Sequence, residues 1–278
     1  MHTLLITALA LGAGAATLQA QDSLHIDTGN LFPNVGTGIV LIDPNDFGVP
    51  PGLIQTAGVT LINDRVVLTV ANLTKNTEGG LPPFIHVFVT FNSQLLADRS
   101  SWIPVTASAW HPTFTLHCAF GICDVPPGFP YPTPGISDVG LMLLEKPVKD
   151  IKPTDLARPR TLETGRGDSQ DQIFVTYGPP ALGVRHYRLL PPKEIFDDRW
   201  ALGGVGEACM NDSGGPTFLG PLADSGNKRR TVVAVASGHK VIDGSDCMHS
   251  RTVTARIDNE DVQAWIAYQI GQWLDPKH

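Results

Sequence analysis

Short apolar runs rich in Val, Ile, Thr and Phe recur along the chain with turn residues between them, at 35–42, 58–62, 66–71, 86–91, 139–144, 172–177 and 231–237. Each is strand-length, and Asn63-Asp64 separates two of them as a hairpin turn does. One segment has a different period. Val262, Trp265, Ile266, Gln269, Ile270 and Trp273 fall at helical spacing, with Asp258 or Asn259 before them as an N-cap. Regular short strands without intervening helices predict an all-β body carrying a single C-terminal helix.

The first twenty residues follow another pattern. Leu4 to Ala16 is an apolar stretch too short to span a bilayer, and Leu18-Gln19-Ala20 precedes the polar Gln21 in the manner of a cleavage site. Residues 1–20 are therefore expected to be a signal peptide and 21–278 the mature chain, secreted or extracellular, with the periplasm as an alternative. The stretch 146–170 is polar and Pro-containing. It divides the chain into a first half of about 34–145 and a second of about 171–275, in the manner of a linker.

Composition narrows the classes further. Hydrophobic residues make up 42% and charged residues 17%, which favours a packed core over disorder. Twenty basic against 27 acidic residues, without a basic cluster, argue against nucleic acid and against an anionic membrane surface as partners. A monomer is expected. No Cys/His spacing suits zinc and no alternating acidic run suits calcium, so neither a metal nor a cofactor is expected. Export permits disulfides, and four cysteines allow three pairings. Cys118 and Cys123 are near enough to close a small loop, which would leave Cys209 with Cys247.

The strongest chemical signal is Cys209-Met210-Asn211-Asp212-Ser213-Gly214-Gly215-Pro216. A serine between an acid and two glycines suits a tight turn that exposes its Oγ, and glycine lets backbone N–H groups approach a ligand. This segment resembles the Gly-Asp-Ser-Gly-Gly-Pro block of the trypsin/chymotrypsin-like serine peptidases (peptidase S1), in the manner of bacterial-type secreted members. Further blocks follow in the family's order. Residues 57–71 resemble the strand pair leading to its histidine. Ser137-Asp138-Val139-Gly140-Leu141-Met142-Leu143-Leu144 resembles the strand at its aspartate. Val233 to Ser237, Cys247, Thr252 to Ile257 and Trp265-Ile266 resemble its closing strands and helix.

The resemblance implies two six-stranded antiparallel β-barrels with a C-terminal α-helix and a site between the barrels. It implies Ser213 as nucleophile, Asp138 as the acid that orients the base, and the N–H groups of Asn211 and Ser213 as an oxyanion hole. It implies a Cys209–Cys247 disulfide and a substrate pocket of Glu207, Ser237, Gly238 and His239, where an acid at Glu207 would favour Lys or Arg.

The sequence departs from the family at the base. Where the family has Thr-Ala-Ala-His-Cys, the chain reads Thr69-Val70-Ala71-Asn72-Leu73, so Asn72 stands in the histidine's place. An amide cannot take the serine proton at neutral pH. The expected function is thus a secreted serine peptidase homologue with impaired catalysis and a retained peptide-binding cleft. The alternative is an active serine endopeptidase, working through a Ser213 acyl-enzyme and a substitute base drawn from His86, His111, His117, His186 or His239. Asn211 replaces the family's oxyanion glycine, and its Ile-Val-Gly-Gly activation sequence is absent, which leaves the partner of Asp212 open.

Overall fold

The computed structural model describes residues 24–42, 54–75, 85–119, 122–124, 132, 134–164, 172–179, 181–190, 192–205, 207–209, 211–222, 230–240 and 251–275. The expected leader, residues 1–20, and Cys247 lie outside them.

The first half follows from the alternating runs. After the short strand β1 (His25–Ile26) come β2 (Val35–Ile42), β3 (Ile54–Asn63), β4 (Val66–Thr69), the one-turn helix α1 (Ala71–Thr74), β5 (Ile85–Thr90), β6 (Ile103–Trp110), the paired β7 (His117–Ala119) and β8 (Ile122–Asp124), and β9 (Gly140–Leu144). The order β2-β3-β4-β9-β6-β5 is a closed barrel, because β2 pairs with both β3 and β5. Val59, Leu61, Leu68, Val89 and Leu141 are fully buried. Each such side chain contributes about 1.5–3 kcal/mol as an upper figure.

The second half contains β10 (Asp155–Leu156), β11 (Gln172–Thr176), β12 (His186–Leu190), β13 (Glu194–Ile195), β14 (Trp200–Val205), β15 (Pro216–Leu219), β16 (Thr231–Lys240), β17 (Arg251–Arg256) and the helix α2 (Glu260–Leu274). Its sheet is 9-stranded, ordered β1-β12-β11-β15-β16-β17-β14-β13, with β10 on β16. Among the described residues this path is open. It forms a half-barrel sheet whose ends are extended by the short strands β1 and β13, and with the closed first barrel and the C-terminal helix it matches the expected two-barrel architecture.

The helix lies where its spacing placed it. Asn259 is the cap, its Oδ1 accepting from the N–H of Asp261 at 2.9 Å and of Val262 at 3.2 Å. Glu260 and Asp261 put negative charge at the positive end of the helix dipole. Val262 and Ile266 are buried, and Trp265, Ile270 and Trp273 pack on the same core.

Two connections tie the halves together. The described part of the stretch between them, 146–164, carries β10 and buries Ala157 and Leu162 against Ala201, Leu219 and Val233 of the second sheet. At the start of the chain, β1 pairs with β12 although the next strand belongs to the first barrel. There Arg185 Nε donates to Asp27 Oδ2 at 2.7 Å, both side chains being 0% exposed. Asp27 also accepts from the N–H of Leu31 at 2.6 Å and of Phe32 at 3.2 Å. Among the described residues no helix is long and apolar enough to cross a membrane.

Candidate active site at the junction of the barrels

Ser213 sits where the two sheets touch, and glycines make that contact achievable. Gly58 N donates to Ser213 O at 2.7 Å, and Gly214 N donates to Ala236 O at 2.7 Å. A Cβ on Gly58 would lie 2.3 Å from Gly215 N, and one on Gly214 would lie 2.1 Å from Gly58 O. Gly214 also adopts φ +83°, the left-handed region that glycine enters without strain. Asn211 reaches φ +70° and so tolerates the position that glycine holds in the resembling family. Among the described residues the N–H groups of Asn211 and Ser213 have no internal acceptor, which leaves both donors available to a ligand.

Asp138 precedes β9 and is 2% exposed. Its Oδ1 accepts from Asn72 N at 2.9 Å, and its Oδ2 from Asn72 Nδ2 at 3.2 Å and from Ser237 Oγ at 2.5 Å. Asn72 lies in α1, the turn that caps β4, and is buried. The amide therefore fills the donor half of an imidazole's role, an N–H pointed at the carboxylate. It offers no basic nitrogen in return. Ser213 Oγ donates to the carbonyl of Ser237 at 3.5 Å, a long contact. Ser237, expected as a pocket residue, thus links Asp138 to Ser213 through its hydroxyl on one side and its carbonyl on the other. Gly238 follows in β16 opposite Val253, past a register shift. His239 pairs by its backbone with Thr252, and its side chain lies outside the described residues.

Of the candidate substitute histidines, His111 and His186 are engaged elsewhere. His111 is buried with Nδ1 2.9 Å from Thr113 Oγ1 and its ring edge-on to Trp265 at 5.4 Å. Burial first, then the Arg199 charge, pushes its pKa down to about 4. His186 is buried with Nδ1 2.9 Å from Val184 O, and burial lowers its pKa. His86 is exposed on β5 beside Phe88. The side chain of His117 lies outside the described residues.

Asp212 finds its partners within the fold. Thr176 Oγ1 donates to its Oδ1, and Cys209 N donates to its Oδ2 at 2.6 Å. The loop carrying Ser213 is thereby held by a strand hydroxyl and its own backbone. Burial lifts the carboxyls of both Asp138 and Asp212 to about 6, against the lowering by their hydrogen bonds. An unfolded aspartate titrates near ~3.9. Both groups hold protons more tightly when folded, so their stabilisation is complete below about pH 4 and is lost as pH rises through about 6. Denaturant titrations from pH 4 to 7 should show that decline, and Asp138→Asn should remove part of it. An identical slope in the variant would contradict the burial argument.

Glu207 follows β14 and is buried, but its charge is met inside the protein. Lys193 Nζ donates to Glu207 Oε1 at 2.6 Å. Sequence reasoning missed this lysine, because a lone Lys between two prolines and a short strand carries no pattern. Asn211 borders a cavity of about 570 Å³, lined also by Gln94, Leu95, Leu96, Leu182 and Val184. Leu96 and Leu182 are 59% and 61% exposed there. Cys118 and Cys123 are register partners across the β7–β8 ladder. Their side chains lie outside the described residues. Among the described residues no group of three His, Cys, Asp or Glu could hold a metal.

A closed six-stranded barrel, a second antiparallel half-barrel and one C-terminal helix, with Ser213 and Asp138 brought to their junction, define a chymotrypsin-like fold. A solved structure of HL collagenase is similar to this chain at 17% identity, covering 87% of this chain and 94% of that one with a TM-score of 0.57. At that identity the likeness concerns the fold. No protein-family model and no curated protein matches the sequence.

Proposed function

We propose that this chain is an exported serine peptidase homologue with impaired hydrolysis, and that its cleft holds a peptide or protein segment. The observation that carries this is the hydrogen bonding of Asp138: its carboxylate is met by the N–H and the amide of Asn72 and by Ser237, while among the described residues Ser213 Oγ reaches only the Ser237 carbonyl. A nucleophilic serine needs a base to take its proton, and removing a triad member leaves only ~10³–10⁴-fold acceleration over water. The open N–H groups of Asn211 and Ser213 and the apolar cavity beside Asn211 suit a bound extended segment.

The reading includes export by the 1–20 leader, a monomer without metal or nucleic acid, and bridges Cys118–Cys123 and Cys209–Cys247. The register of β7 and β8 supports the first bridge. The alternative is an active endopeptidase with a substitute base. It draws on His239, whose backbone lies two residues beyond Ser237.

Assayed on mixed peptides and activated esters, the protein should turn over no faster than its Ser213→Ala variant. Turnover that vanishes in Ser213→Ala would establish the active alternative instead.

A further inference from the structure

We infer that Lys193 closes the substrate pocket expected at Glu207 to basic side chains: from inside the protein it occupies the Glu207 carboxylate that a lysine or arginine of a bound peptide would need, so the cleft takes a neutral side chain. This rests on the proposed peptide-binding cleft.

The two residues come from loops held in fixed relation. Lys193 precedes β13, Glu207 follows β14, and those strands pair through Glu194↔Leu202 and Ile195↔Ala201. The ammonium donates to Oε1 at 2.6 Å, and the side chains are 0% and 1% exposed. Gly203 fixes the other oxygen. A Cβ there would lie 2.0 Å from Glu207 Oε2 and 2.6 Å from its Cδ, so the bare Cα of Gly203 is the seat of the carboxylate. On the C-terminal side of Glu207, Ala208 N donates to Thr252 Oγ1 at 2.9 Å and Cys209 N to Asp212 Oδ2 at 2.6 Å. Glu207 is thus seated on Gly203, paired with Lys193 and followed by a fixed backbone. An incoming cation would meet a carboxylate already neutralised, with a like charge beside it. That juxtaposition removes the attraction a bare acid would offer a cation.

The test compares benzamidine, an aryl cation, with benzamide, its neutral isostere, by calorimetry on the whole protein. The native protein should bind benzamidine no more tightly than benzamide. Lys193→Met should shift the ratio toward benzamidine by about tenfold or more, and Lys193→Met with Glu207→Gln should return it. A native preference for benzamidine overturns the inference, and that measurement decides alone if Lys193→Met does not fold. A variant that binds benzamide but gains nothing for benzamidine overturns it too, and leaves the cleft reading standing. Binding of neither compound to either protein removes the pocket, and the inference falls with it.

Discussion

Replacing Asn72 by histidine is expected to raise ester and peptide hydrolysis by about 10²–10⁴-fold, the range that a positioned general base supplies. The frame for that base is already in place. Asn72 Nδ2 donates to Asp138 Oδ2 at 3.2 Å, so an imidazole Nδ1–H at the same point would inherit an oriented acceptor. Its second nitrogen would then be free to accept the Ser213 proton. The gain should depend on Ser213 as strongly as on the new histidine, because members of such a unit act together and not additively. Asn72→His with Ser213→Ala should therefore fall back to the native rate. The regained rate should rise with pH as the imidazole loses its proton near ~6.5. A folded Asn72→His variant with no gain would place a second defect in the oxyanion turn, where Asn211 stands at φ +70°.

The second large effect concerns stability. Arg185→Met should lower stability by about 3–5 kcal/mol, the loss typical when one partner of a buried ion pair is removed. Arg185 is 0% exposed and joins three pieces of chain. Its Nε meets Asp27 at 2.7 Å. One terminal nitrogen donates to the carbonyls of Val35 and Phe91, each at 3.1 Å, and the other to Asn30 Oδ1. Without it the Asp27 carboxylate is stranded and two carbonyls lose a charged donor. At ~2–4 °C per kcal/mol for a chain of this class, the melting temperature should fall by about 6–20 °C. Adding Asp27→Asn should recover part of the loss, because it removes the stranded charge. A melting point within about 2 °C of the native value would show that the segment 24–32 does not depend on this clamp.

What the sequence revealed and what it concealed divide along the reach of each interaction. Val35–Ile42 forms a strand with the limits its alternation suggests, and 172–177 and 139–144 are within a residue of the observed bounds. In each, side-chain pattern and burial agree locally. The strand Ile103–Trp110 escaped because Pro104, Thr106 and Ser108 blur the period, and most of it is only half-buried. Trp200–Val205 escaped because two glycines interrupt it. At the site, the serine turn and the aspartate strand were visible as contiguous words. The partners that define their chemistry were not. Lys193 with Glu207, Thr176 with Asp212 and Arg185 with Asp27 are pairings set by how strands are ordered in a sheet, and no spacing along the chain encodes them. Ser237 was placed in the pocket by position alone. Its hydroxyl turns to Asp138 at the point where β16 shifts register between Ala236 and Gly238.

The most direct measurement is the rate at which a phosphonylating serine reagent modifies Ser213, followed by intact mass. A hydroxyl that meets a backbone carbonyl and no base should react no faster than the background seen in Ser213→Ala. Rapid, stoichiometric labelling that the alanine variant abolishes would mean that a base reaches this serine after all, and the account of an impaired site would be wrong.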